Sequence, residues 1–154
     1  MKLSGGIWHN EFGYSRVDTG RREDGKAVFE FTLNTDNPMA LQVGEHCFVQ
    51  PDRHGYSNGG NVPWIAQCVI SEDLHYPSWI LHDAACRERK LYFSSHISGP
   101  FTECPVSSEQ ACRIMGMGLY AAGYTKRAYI AYAFVHAFGP HWKIKAGVRP
   151  CCDV

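Results

Sequence analysis

The run Tyr76-Pro77-Ser78-Trp79-Ile80-Leu81-His82-Asp83-Ala84-Ala85-Cys86-Arg87 marks where the chain stops reading as strands and starts reading as helices. Pro77 suits the first helical position, where its missing N–H is not needed and its fixed φ is already helical. Trp79, Ile80, Asp83, Ala84 and Arg87 follow at helical spacing. Upstream, residues 14–22 and 27–33 flank Glu23-Asp24-Gly25-Lys26, and Asp-Gly between two strand-like runs is a strong hairpin signal. Phe29, Phe31 and Leu33 alternate with Glu30 and Thr32, as a half-buried strand requires. Residues 34–38 form a turn cluster. Residues 43–50 are expected to be a third strand, with Cys47 and Val49 on one face and His46 and Phe48 on the other.

Downstream of the quoted run, residues 94–105 read as a loop and 107–122 as a second helix. Ser107 and Gln110 have the spacing of a capping box. Ala111, Ile114, Met115, Gly118 and Leu119 form its apolar stripe, and Gly123 its stop. Gly116 and Gly118 weaken that helix intrinsically, so close packing is the expected reason for them. A third helix runs from a cap at Thr125 to Phe138, with Ile130, Phe134 and Phe138 as its expected core face, and Gly139-Pro140 ends it. The expected fold is α+β: an N-terminal antiparallel β hairpin or small sheet followed by about three helices, two of them antiparallel. Residues 1–154 are read as a single domain: 1–50 mainly β, 51–75 loop-rich, 76–142 mainly α and 143–154 a C-terminal tail.

The chain has 154 residues, enough for one substantial core. Lys and Arg number 15 and Asp and Glu 15, so the basic excess of a nucleic-acid binder is absent. Hydrophobic content of 45% with 19% charged residues excludes intrinsic disorder. No apolar run is long enough to span a bilayer or to act as a secretory leader, and the best candidate, residues 128–138, carries His136. The chain is therefore expected to be made and kept in a cytosol, with its thiols mostly reduced. Seven Cys cannot all pair within one chain. Cys68, Cys86 and Cys112 are expected as small buried hydrophobes. Cys151 and Cys152, adjacent at the terminus, cannot easily bond each other; they are either exposed thiols or partners for another chain.

His82 and Asp83 are the sharpest chemical pair. Adjacent helical residues point about 100° apart, so they face one site from neighbouring directions, His82 as a base and Asp83 as a metal ligand. The alternative is a core histidine beside a solvated carboxylate. His82 and Cys86, four residues apart, make a possible zinc half-site that His96, Cys104 and Cys112 would complete. No Cys-x-x-Cys or His-x-x-x-His pair supports it. Residues 51–63 read as a loop whose Asn58, Gly59, Gly60 and Asn61 permit close backbone approach to a ligand, or serve as plain connection. Tyr124, Tyr129 and Tyr132 exceed what one core face can bury, which fits a protein–protein surface.

The order of segments is itself informative: Asn58-Gly59-Gly60-Asn61-Val62-Pro63-Trp64, then Ile80-Leu81-His82-Asp83-Ala84-Ala85-Cys86, then Ser108-Glu109-Gln110-Ala111-Cys112-Arg113-Ile114-Met115, then Ala133-Phe134-Val135-His136-Ala137-Phe138-Gly139-Pro140-His141-Trp142. Over residues 47–142 this order resembles the DUF1353 family of bacteriophage and prophage proteins. That pattern in turn is similar to the active-site layout of phospholipase A2. The resemblance implies His82 as general base, Asp83 as a Ca²⁺ ligand, the 58–61 loop as calcium and oxyanion loop, and an orienting acid on the second helix. The chain departs in the loop, where Asn58-Gly59-Gly60-Asn61 lacks the family's Asp-Gly-Ala-Ser form, and at two helical positions. Cys86 stands where the pattern has Tyr, and Cys112 stands where it has the orienting Asp. Losing such a carboxylate costs about 10⁴ in rate in a serine-protease triad. The resemblance therefore implies a cysteine-rich virion-associated accessory protein of the tail, neck or baseplate without catalysis or cofactor. It would be made in the host cytoplasm and assembled with other phage proteins through surfaces and terminal Cys151 and Cys152, without nucleic acid or a membrane span. A Ca²⁺-dependent lipid hydrolase using His82 and Asp83 is the alternative, and a small zinc-stabilised binding domain a weaker one.

Overall fold

The computed structural model describes residues 3, 5–59, 70–71 and 74–148. Among the described residues, eight strands and three helices follow in an order the helical half of the sequence does not advertise: β1 (Gly6–His9), β2 (Tyr14–Glu23), β3 (Lys26–Leu33), β4 (Ala40–Val43), β5 (Cys47–Gln50), β6 (His54–Ser57), α1 (Tyr76–Glu88), β7 (Lys90–Ser94), β8 (Thr102–Pro105), α2 (Ser108–Ala121) and α3 (Thr125–Phe138). The expected α+β class is present: six strands precede the first helix, and the antiparallel pair β7–β8 intervenes before the other two helices. β2 and β3 form the hairpin expected around Asp24-Gly25. Both turn residues have positive φ, 51° and 80°, which is the primed geometry that matches strand twist.

Three expectations need correcting. The strand read over residues 43–50 is two strands, because Gly44 at φ 69° turns the chain between β4 and β5. The loop read over 51–63 contains β6, which pairs with β3 from Phe29 opposite Ser57 to Thr32 opposite His54. The loop read over 94–105 ends in β8, paired with β7. Buried Leu91 and Phe93 alternate there with half-buried Lys90, Tyr92 and Ser94, a period-2 signal too short to stand out between two helices.

The strands form two sheets, β1-β4-β5-β7-β8 and β2-β3-β6. Leu41, Val49 and Phe93 lie in register across three neighbouring strands of the larger sheet. With Leu91 they meet Trp79 and Leu81 of α1 and Ile114, Met115 and Leu119 of α2 in the main core. Phe31, Leu33, Met39 and Ile80 make a smaller cluster that ties the second sheet to α1. Burying side chains of this size contributes about 1.5–3 kcal/mol each.

The α1–α2 pair is antiparallel: Ser78 of α1 packs at Gly118 of α2, and His82 at Cys112. The expected capping box at Ser107 and Gln110 is formed in both directions, and Gly123 adopts φ 89° just past α2. The close approach explains the helical glycines. A Cβ on Gly118 would lie 2.6 Å from Ser78 Oγ and 2.9 Å from Trp8 Cζ2.

α3 corrects the expected core face. Its buried residues are Ala128, Ala131 and Val135, not Ile130, Phe134 and Phe138, and Phe138 is 72% exposed. A Cβ on Gly116 of α2 would lie 3.3 Å from Tyr132 Cβ of α3. Helices this close favour small residues on the inner stripe. Tyr124, without a side-chain cap bond, is the N-cap in place of Thr125. No helix among the described residues is long and apolar enough to cross a membrane.

Candidate functional site

α1 presents His82 and Asp83 to a cleft of about 310 Å³, shared with Asn58 after β6, Cys86, Trp79 and the aromatic end of α3 at Phe134 and Phe138. The Arg87–Glu23 ion pair, 2.9 Å, closes one side of it by linking α1 to the β2–β3 turn. His82 and Asp83 thus share one site, as their adjacency suggested.

Their partners differ from those of a catalytic pair. His82 is buried, and its Nε2 faces two thiols: Cys86 Sγ at 3.5 Å and Cys112 Sγ at 4.0 Å. Its Nδ1 lies 3.7 Å from Asp83 Oδ1, an ion-pair distance too long for a hydrogen bond. Trp79 meets the imidazole edge-on, with ring centroids 6.3 Å apart. Burial pushes the Cys86 thiol up to about 12, with the Asp83 charge adding to it, and burial pushes Cys112 up to about 11. Both sulfurs therefore stay protonated at neutral pH, and neither supplies the negative charge that would stabilise an imidazolium.

Asp83 is oriented from the strand side. Ser57 Oγ donates to its Oδ2 at 2.6 Å, and Gly59 N–H donates to Ser57 Oγ at 3.1 Å. Tyr76 O–H donates to the Ser57 carbonyl at 3.2 Å, so the 57–59 segment is held to both ends of this part of α1. Gly59 has φ 85°, which suits glycine. Gly60 and Asn61 of the expected loop, and Cys151 and Cys152, lie outside the described residues.

For a metal, the donor set does not fit. Calcium takes six to eight oxygens. The described part of the site offers two carboxylates: Asp83, one of whose oxygens accepts from Ser57, and Glu23, which is held in its ion pair with Arg87. Of the proposed zinc ligands, His82, Cys86 and Cys112 come together, but His96 lies in the exposed loop between β7 and β8, and Cys104 is disulfide-bonded. Among the described residues no group of three or more His, Cys, Asp or Glu is placed to hold a metal ion.

Cys47 is disulfide-bonded as well, so these two positions depart from the mostly reduced thiols expected of a cytosol. Cys86 and Cys112 are free. The buried-hydrophobe expectation thus holds for Cys112 and partly for half-buried Cys86, while Cys68 lies outside the described residues.

Two features were not read from the sequence. Ser57 holds Asp83, and its only signal was its place two residues before Gly59. At the start of α1, His75 Nδ1 meets Ser78 Oγ at 2.8 Å while its Nε2 meets Glu11 Oε2 at 3.1 Å. Burial holds the His75 pKa below its ordinary value, against the opposing pull of the Glu11 bond and charge. This serine–histidine–glutamate chain has the connectivity of a hydrolytic triad, but Ser78 is fully buried against α2, so no substrate reaches it. It anchors α1 to the β1–β2 turn. His75 itself sits at φ 104°, a strained conformation that these contacts hold in place.

No protein-family model, curated protein or solved structure matches this chain.

Proposed function

We propose that this chain is a virion-associated accessory protein of a tailed bacteriophage whose His82 cleft is not catalytic. The observation that carries the non-catalytic reading is the pair of protonated thiols facing His82 Nε2: Cys112, where the resembled hydrolase layout has the orienting carboxylate, and Cys86, where it has a tyrosine. Neither thiol can take the part of an ionised acceptor that holds and orients a catalytic imidazole. The disulfide-bonded Cys47 and Cys104 support a working environment outside a reducing cytosol, which a released virion meets. Phe12 and Phe138, 71% and 72% exposed, are large apolar groups available for contacts within an assembly.

Two experiments test the reading. Mass spectrometry of purified virions is expected to find the chain; its absence from them sinks the assignment. Incubation of the purified protein with phosphatidylcholine vesicles and Ca²⁺ is expected to release no fatty acid. Release that His82→Ala and a chelator both remove would establish the lipid hydrolase instead.

A further inference from the structure

A second cavity, about 430 Å³, shares no lining residue with the His82 cleft. It lies where the β3–β4 turn, the end of β5 and the β7–β8 loop meet, and its size is that of a small-molecule site. Three polar groups in its lining lack the partners that such groups normally have. Gln50, the last residue of β5, is 4% exposed, and its Oε1 accepts no hydrogen bond among the described residues. An unpaired buried amide oxygen is costly and calls for a donor. The terminal amide turns about a soft torsion, so it can present this oxygen to the cavity it lines. The Arg53 side chain makes no hydrogen bond or ion pair among the described residues; only its backbone is engaged, with Asp52 and Leu33. Among the described residues the Asp36 carboxylate has only the Thr35 hydroxyl, at 3.5 Å. Ile97, Pro100 and Phe101 supply an apolar wall, and Ile97 is exposed without a covering element.

The geometry points to this cavity as a binding site for an α-amino carboxylate with an apolar side chain. The ligand carboxylate pairs with the Arg53 guanidinium, which is built for planar anions. The α-nitrogen donates to Gln50 Oε1, and the side chain lies on Ile97, Pro100 and Phe101. A free amino acid would bring an ammonium that Asp36 also accepts, whereas a peptide C-terminus would bring an amide N–H. The site does not depend on what the His82 cleft does.

The test is an NMR titration of the ¹⁵N-labelled full chain with L-phenylalanine, N-acetyl-L-phenylalanine and L-phenylalaninamide. Saturable shifts of the Gln50 side-chain amide and of the 97–101 backbone are expected with at least one of the two carboxylates and not with the amide. Preference for L-phenylalanine identifies a free amino acid as the ligand, and preference for the N-acetyl form identifies a peptide terminus. Arg53→Met, at an exposed position where folding is not at stake, is expected to weaken binding by about tenfold or more. Absence of saturable shifts with both carboxylates, or equal binding by Arg53→Met, overturns the proposal.

Discussion

Ser57 Oγ donates to Asp83 Oδ2 over 2.6 Å and so joins the end of β6 to the middle of α1. A hydroxyl bonded to a carboxylate is a charge-assisted contact, stronger than one between neutral groups. The same oxygen accepts from Gly59 N–H, so one side chain positions both the helix carboxylate and the following loop. In a double-mutant cycle of Ser57→Ala and Asp83→Asn, the expected coupling is about 1–3 kcal/mol by urea denaturation. Additive losses would show that the contact contributes nothing of its own.

Gly118→Ala sets two effects against each other. Alanine raises intrinsic helicity by about 1 kcal/mol. Its Cβ, however, would meet Ser78 Oγ at 2.6 Å and Trp8 Cζ2 at 2.9 Å, and Trp8 Nε1 is fixed by its bond to the Gly118 carbonyl. Overpacking of this kind costs about 1–3 kcal/mol, so a lower urea midpoint is expected. Gly123→Ala is a useful comparison. It meets no atom within 4 Å, and its loss arises from φ 89° alone.

The thiols beside His82 predict a pH dependence. Burial raises Cys86 from 9.0 to about 12 and Cys112 from 9.0 to about 11. In the folded state they keep protons that the unfolded chain has lost, so their effect on stability is absent below about pH 9, and stability falls as pH rises from there toward 12. At pH 8, iodoacetamide is expected to modify Cys86 in the folded protein on the order of a hundredfold more slowly than in the denatured chain. Peptide mass spectrometry reads this directly. Equal rates would show that the thiol is not held in its protonated form.

Much of the molecule was legible from short-range chemistry. Asp24-Gly25, Pro77, the Ser107–Gln110 box and Gly123 each act within a few residues, and each sits where its pattern placed it. The misreadings arise where tertiary packing decides. Phe138 has a helical phase compatible with a core face, but α3 buries Ala128, Ala131 and Val135 instead and sets Tyr132 against Gly116. β6 is a polar tetrapeptide that becomes a strand because β3 offers it an open edge. The proximity of His82 to Asp83 was readable from adjacency, and that of Cys112 from the possible zinc site and from the resemblance. Ser57, Gln50 and the Glu11–His75 contact were not readable, since each depends on residues brought together across long stretches of sequence.

The β7–β8 hairpin leaves α1, joins the sheet begun by β1, β4 and β5, and then returns the chain to α2. The larger sheet therefore cannot be completed by the part of the chain that starts it. During synthesis, β5 keeps an open edge until about forty further residues have emerged, and an open edge is a template for pairing with other chains. Folding in this order makes the growing chain vulnerable to premature association, and a truncation anywhere before Lys90 would leave that edge permanently exposed.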